Sequence, residues 1–250
     1  MLSLQHVTFS CDEPAKLAGF WATLLEYETS EAGESVVAID PRGEGTRLLF
    51  NRMPKSPTIE IPIHLDVNVP DREAELARVL ELGGSLVETK SHQIGELEET
   101  WTVMRDPEGN GFCIQAPPNA QHRVIGNVTF SCAEPVELGR FWAEALGWPD
   151  EQIDESFLQQ LRDQGVGEHE LSGFYVTRPP GGGRPRFLFQ RREKSRPGSY
   201  PIHLDFSTGD REAEVERLVQ AGATIVETKA GTNVTFTVLR DPEGNPFCVG

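Results

Sequence analysis

The sequence predicts an α+β fold of two tandem domains, each composed of paired βαβββ halves that form a curved mixed sheet around a cleft. One observation is that the chain repeats itself along nearly its whole length. A second is that each repeat begins with a segment of alternating apolar residues, continues with an apolar stripe of helical spacing, and returns to short alternating segments. The third is a globular composition, with 38% hydrophobic and 25% charged residues.

The internal repeat is the strongest signal in the sequence, because extended similarity at a fixed offset indicates duplicated structural units. Three pairs of segments align: 6–27 with 127–148 (12 of 22 positions identical), 61–90 with 200–229 (16 of 30), and 101–114 with 236–249 (10 of 14). The offset increases from 121 to 139 between the first two pairs, so the second repeat carries 139 − 121 = 18 additional residues.

These offsets divide the chain. We place domain 1 at residues 1–117, a proline-containing linker at 118–123, and domain 2 at 124–250, with an insertion at about 150–185. Within the insertion, the apolar spacing of Glu155–Gln164 predicts a short amphipathic helix. Either a lid over a pocket or a surface insertion would fit, and we favour the surface insertion because tolerated insertions usually lie in loops.

The first half of repeat 1 begins with a strand at 6–11, HVTFSC. Glu13-Pro14 then begins a helix, since the missing N–H of proline would be unpaired in a first turn anyway. Two short strands follow at Ser35–Asp40 and Arg47–Arg52, separated by a glycine-rich turn.

The second half repeats this plan. The strand Ile61–Val67 leads to Asp71, a candidate N-cap, and to a helix over Glu73–Leu82 that Gly83-Gly84 ends. The predicted closing strands are Leu86–Lys90, Thr100–Arg105 and Phe112–Gln115, with the turn DPEGN before the last of them.

The charge balance restricts the partners. With 23 Lys+Arg against 39 Asp+Glu the net charge is −16, which opposes non-specific binding to nucleic acid phosphates. No stretch approaches the roughly 20 apolar residues of a membrane span, and no secretion signal is evident. We therefore expect a cytoplasmic protein with reduced cysteines, without nucleic-acid or membrane partners, and with a small-molecule ligand.

Strand parity identifies which side chains share a face, because alternate side chains of a strand point to opposite sides. In the first strand Val7, Phe9 and Cys11 form the packing set, and in the strand that contains His64 and Asp66 those two polar residues lie together on the other face. A polar face of this kind is expected to line a ligand cleft. The candidate ligand-contacting residues are Arg47, Asn51, Trp101 and Gln115 in repeat 1, and Asn127, Arg186, Gln190, His203, Asp205 and Cys248 in repeat 2.

These motifs resemble the vicinal oxygen chelate superfamily, specifically its glyoxalase-like, bleomycin-resistance and dioxygenase group. The similar pieces are HVTFS followed by EP and FW, PIHLD followed by DREAE, and the DPEGN-x-FC ending, each in two copies. The resemblance covers almost the whole chain outside the insertion. It implies the fold but not a single activity, because members include lyases, isomerases, dioxygenases and non-catalytic antibiotic binders.

The resemblance also implies a metal site made from a first-strand His, a second-half His and a last-strand Glu. In this sequence these positions hold His6, His64 and Cys113 in repeat 1. In repeat 2 the first position is Asn127, so we expect no metal there. Cys replaces the Glu in both repeats, which leaves two interpretations of repeat 1: one divalent ion (Fe, Mn, Ni or Zn), or no ion and a thiol that only fills the pocket floor.

How the halves pair is also left open by the resemblance. If they pair across repeats, His6 shares a cleft with His203 and Cys248, and Asn127 shares one with His64 and Cys113. We expect an intrachain pseudo-dimer, and a homodimer of whole chains is also compatible with the sequence.

The expected function is binding of a small molecule in the cleft, with metal-assisted lyase, isomerase or dioxygenase chemistry in which Asp66 is a base or orients His64. The alternative is a non-catalytic module that sequesters a cationic or aromatic compound.

Overall fold

The computed structural model describes residues 1–43, 45–53, 62–94, 97–151, 155–192, 200–230 and 235–250. Its strands form two mixed sheets, and helices pack against the apolar face of each, which confirms the predicted α+β class. Ile61, the first residue of one predicted strand, lies outside the described residues. No helix in the described ranges is long and apolar enough to cross a membrane.

The described residues of repeat 1 form eight strands and two helices. They are β1 (Ser3–Cys11), α1 (Pro14–Leu25), β2 (Glu28–Ala32), β3 (Ser35–Ile39), β4 (Leu48–Arg52), β5 (Ile63–Asn68), α2 (Arg72–Glu81), β6 (Ser85–Ile94), β7 (Leu97–Arg105) and β8 (Gly111–Gln115). As the sequence predicts, proline occupies the first turn of α1, and the side chain of Asp71 accepts a hydrogen bond from the N–H of Ala74 to cap α2. The strand β2 was not predicted from the sequence, and all of its residues are exposed.

Repeat 2 follows the same plan and adds the insertion. Its elements are β9 (Val124–Cys132), α3 (Pro135–Leu146), α4 (Glu155–Asp163), α5 (Glu168–Leu171), β10 (Phe174–Thr177), β11 (Arg186–Arg191), β12 (Ile202–Ser207), α6 (Arg211–Gln220), β13 (Thr224–Ala230), β14 (Thr235–Arg240) and β15 (Pro246–Val249). The helix α4 agrees with the predicted amphipathic helix of the insertion.

Each sheet combines strands of both repeats. The first sheet has eight strands in the order β13-β14-β15-β12-β1-β4-β3-β2, and the second has seven in the order β10-β11-β9-β5-β8-β7-β6. The antiparallel pairs β1–β12 and β5–β9 make the connections. The pairing that the sequence leaves open is therefore settled: the halves of this chain pair across repeats.

The aromatic core holds the two halves of one repeat together. The ring of Trp21 on α1 lies 5.3 Å from Phe9 of the first sheet and 5.0 Å from Phe112 of the second (centroid distances). In repeat 2, Trp142 on α3 similarly lies 5.7 Å from Phe130 and 5.0 Å from Phe247. The two halves of one repeat thus share a core centred on a helix, whereas each sheet is built from strands of both repeats.

The DPEGN turn fixes this core by hydrogen bonds. The buried carboxylate of Asp106 accepts bonds from the indole N–H of Trp21 (3.3 Å), the amide of Asn110 (2.8 Å) and backbone N–H groups of the turn. Glu108 of the same turn accepts bonds from the backbone N–H groups of Asp12 and Glu13, at the start of α1. The motif that follows β7 therefore anchors the helix that follows β1.

We expect Asp106→Ala to lower the free energy of unfolding by about 3 kcal/mol, because it leaves the buried indole N–H and amide donors without an acceptor. Asp71→Ala is the matched control, since it removes an exposed N-cap worth about 1 kcal/mol. Urea denaturation of both variants measures the difference. Equal losses would contradict the structural role of Asp106.

Candidate functional site

The polar faces of the two sheets carry the candidate sites. Side chains at the middle of a flat, open sheet face would be solvent-exposed, yet those of His64 and Asp66 are 11% and 3% exposed, and those of His203 and Asp205 are 17% and 22% exposed. Each polar face therefore shields a His–Asp pair from solvent, and the carboxylate is buried at Asp66 and partly buried at Asp205.

The second-sheet site consists of His64, Asp66, Cys113, Asn127 and Thr129. One oxygen of Asp66 (Oδ2) accepts hydrogen bonds from Asn127 Nδ2 and Thr129 Oγ1, both at 2.8 Å. The other (Oδ1) lies 3.5 Å from His64 Nε2, and the thiol of Cys113 is also within hydrogen-bonding reach of this carboxylate. Strands β5, β8 and β9 supply these residues, so both repeats contribute.

The first-sheet site consists of His6, Thr8, His203, Asp205 and Cys248. Thr8 Oγ1 donates a 2.5 Å hydrogen bond to Asp205, whose other oxygen lies 3.4 Å from His203 Nε2. His6 takes the position that Asn127 has in the second-sheet site: it is the register partner of Asp205 across β1 and β12, as Asn127 is of Asp66. This site has two imidazoles where the other has one.

Burial favours the neutral form of His6 and of His64. Burial lowers the pKa of His6, and although the charge of Asp205 opposes this shift, Arg47 reinforces it. Burial likewise lowers the pKa of His64 against the opposing charge of Asp66. A neutral imidazole has a free lone pair, which is the form that binds metal ions.

The thiols are held protonated. Burial, together with the adjacent carboxylates, raises the pKa of Cys113 and of Cys248. Burial would raise the pKa of Asp205 as well, but hydrogen bonds from His203, Thr8 and Cys248 outweigh it and lower that pKa. Each site therefore has one anionic group, the Asp carboxylate.

Both sites have donor geometry compatible with a metal ion. In each of the two clusters His64–Asp66–Cys113 and His203–Asp205–Cys248, one ligand atom per residue lies within 4.8 Å of the others. Two ligands of one ion are separated by about 3 to 3.5 Å for bonds of about 2.1 Å, and the His–Asp separations of 3.5 and 3.4 Å agree with this. In the first-sheet site His6 is a further imidazole opposite Asp205, although it lies outside the 4.8 Å cluster.

The structure does not bring together the ligand set His6, His64 and Cys113 that the resemblance implied. His6 lies in the first sheet and the other two in the second, because β1 pairs with β12 rather than with β5. The expectation that repeat 2 lacks a metal site stays a prediction, but the strand beside His203 is β1, which carries His6, and not β9, which carries Asn127.

The other candidate residues divide in the same way. Arg47 and Asn51 lie on β4 or beside it and accompany the first-sheet site, whereas Trp101, Gln115, Arg186 and Gln190 belong to the second sheet. Arg186 donates to Asn127 Oδ1 at 2.9 Å and pairs with Glu151, which Arg178 also contacts. Three further polar residues at these sites were not among the predicted site residues: Thr8, Thr129 and Glu151. The recurrence of the two threonines in the HVTF and NVTF segments was a usable signal, but Glu151 belongs to the insertion and has no counterpart.

A family model described as a glyoxalase-like domain matches the chain twice, over residues 6–115 and 127–250. No curated protein matches the chain.

Solved structures with the same fold cover nearly the whole chain. Glyoxalase I from Zea mays superposes with a TM-score of 0.66 at 10% identity, covering 100% of this chain and 92% of its own. A putative dioxygenase from Bacillus subtilis strain 168 gives 0.61 at 13% identity, covering 99% and 84%. At these identities the similarity establishes the fold alone.

The lowered pKa of His64 predicts a pH dependence of stability. The unfolded chain takes up a proton near pH 6.5 and the folded chain only at lower pH, so stability is lost as pH falls below about 6.5. When the pH falls from 7.5 to 5.5, we expect the free energy of unfolding of the His64→Gln variant to decrease by about 1 kcal/mol less than that of the parent protein. Urea denaturation in EDTA measures this, with exposed His122→Gln as the control. Identical losses in both variants would show that His64 titrates normally.

Proposed function

The chain belongs to the glyoxalase-like domain family, in two copies, and on this basis we propose that it binds a small molecule on the concave polar faces, with a divalent metal ion in the first-sheet site. The observation that carries the proposal is the cluster of His203, Asp205 and Cys248, to which β1 of the other repeat adds His6 as the register partner of Asp205. Two imidazoles and a carboxylate with open coordination positions suit Fe(II), Mn(II) or Ni(II), and participation of the Cys248 thiolate would favour Zn(II).

In this proposal His6, His203 and Asp205 hold the ion. When bound, it supplies a Lewis acid that polarises a carbonyl or enolate oxygen of the ligand, the chemistry on which a metal-assisted lyase, isomerase or dioxygenase depends. Thr8 fixes the Asp205 carboxylate by its hydrogen bond. Arg47 acts against protonation of His6 and so keeps that imidazole available as a ligand.

The second-sheet site supports a different role. Here Asn127 and Thr129 already donate to Asp66, and Asp66 in turn orients His64. Such a carboxylate attracts cationic or hydrogen-bond-donating ligands. Trp101 offers an aromatic surface on the same face, where it pairs with Gln115 across β7 and β8. This arrangement favours the second candidate function, which is sequestration of a cationic or aromatic compound without a metal.

Metal titration tests the first candidate. After EDTA treatment and desalting, we expect the protein to bind about one equivalent of Mn(II), Fe(II), Ni(II) or Zn(II), measured by calorimetry and elemental analysis. His203→Ala and His6→Ala should each weaken binding at least tenfold, since each removes one of three ligands.

The control is His64→Ala, the equivalent substitution in the other sheet, which should leave the affinity and stoichiometry unchanged. Metal bound equally by the His203→Ala variant, or no metal bound by the parent protein, would refute the metal proposal and leave sequestration as the function to test.

A gain-of-function variant tests whether residues 6 and 127 distinguish the sites. Asn127→His should raise the stoichiometry from one to two equivalents, because it gives the second sheet the imidazole that His6 gives the first. Adding His64→Ala should return it to one. A folded Asn127→His variant, verified by circular dichroism, that still binds one equivalent would contradict this explanation of the asymmetry.

A further inference from the structure

A cavity of about 450 Å³ lies between the two repeats, and none of its lining residues belongs to a His–Asp–Cys cluster. We term it the inter-repeat cavity. It is bounded by the start of β1, by the segment before β4, and by parts of repeat 2 before and after β10. The residues that matter for its chemistry are Gln5, Thr46, Arg47, Trp148 and Arg184. Its volume is in the range of small-molecule sites.

Two arginines, Arg47 and Arg184, line this cavity. In a chain with 39 acidic and 23 basic residues, arginines usually find a carboxylate, as Arg123 does at Glu75 and Arg186 at Glu151. Within the described ranges, the side chains of Arg47 and Arg184 form no ion pair or hydrogen bond, whereas the backbone carbonyl of Arg47 accepts a bond from the N–H of Val7. The cavity therefore has uncompensated positive charge in an acidic protein, which favours an anionic ligand.

Thr46 gives a second, independent indication. The residue is 8% exposed, and its hydroxyl is one of three buried side-chain polar atoms without a hydrogen-bond partner in the part of the chain that the structure describes. Buried polar groups are almost always hydrogen-bonded, so an unpartnered hydroxyl beside a cavity points to a missing partner. Rotation of this side chain would let its O–H donate to an anion in the cavity.

The remaining wall is apolar. Leu2, Leu4 and Pro185 contribute aliphatic surface, and the ring of Trp148 is fixed by an edge contact with Phe187 at 5.0 Å. A rigid aromatic surface beside two arginines suits a ligand with a planar apolar body and a carboxylate.

We propose that the inter-repeat cavity binds a small aromatic carboxylate, with Arg47 and Arg184 on the carboxylate and Trp148 against the ring. The proposal does not rest on a metal in the first-sheet site. Arg47 nevertheless connects the two places, since its charge also acts on His6. An anion paired with Arg47 would therefore change the electrostatic environment of that imidazole.

The test is calorimetric titration of the whole protein with 2-naphthoate in EDTA, with Trp fluorescence as a second readout. We expect one site per chain, at least tenfold weaker in Arg184→Glu and within twofold of the parent in Arg140→Glu, which changes an exposed arginine outside the cavity. The neutral analogue 2-naphthylmethanol should bind at least tenfold more weakly than 2-naphthoate.

Two further variants locate the probe. Thr46→Val should weaken 2-naphthoate binding without lowering the midpoint of urea unfolding, because the hydroxyl that it removes has no partner. His203→Ala should bind the probe as the parent does. Unchanged binding in Arg184→Glu, equal affinity for the neutral analogue, or loss of probe binding in His203→Ala would overturn the proposal. Since the metal titration is read separately, either proposal can fail while the other stands.

Discussion

The antiparallel pairs β1–β12 and β5–β9 are the constraint on which both sites depend. Their register places His6 opposite Asp205 and Thr8 opposite His203 in the first sheet, with the equivalent arrangement in the second. Because side chains alternate along a strand, a slip of one residue would turn the polar residues of one strand towards the core. The apolar residues on the other face, including Val7, Phe9 and Leu204, resist such a slip because each is fully buried.

On this common framework the two sites differ in a few substitutions with large electrostatic consequences. Asn127 binds the carboxylate of Asp66 directly, whereas His6 leaves Asp205 to Thr8 and His203. Arg186 is neutralised by Glu151 of the insertion, but its counterpart Arg47 is free of acidic partners among the described residues. One site is thus a closed hydrogen-bond network around a single negative charge, and the other is more open and richer in neutral nitrogen donors.

Sequence patterns predicted the local structure well because its causes are local. Alternation identified the first strand of each half, Pro14 and Asp71 marked the helix starts, and parity put His64 and Asp66 on one face. The partner of each half could not be predicted, because β5 and β12 present almost the same sequence to β1. That ambiguity produced the wrong grouping of His6 with His64. The strand β2 was missed because, at an exposed sheet edge, it lacks a buried face and hence an apolar pattern.

Joining the repeats in one chain has a consequence for specialisation. A symmetric dimer of identical subunits must carry two copies of the same site, so any change made for one ligand is imposed on both. Here each sheet takes its first half from one repeat and its second half from the other, and the two first halves are encoded separately. Residues 6 and 127 can therefore diverge while the scaffold stays symmetric. The covalent link allows a single chain to carry two different chemistries in one architecture.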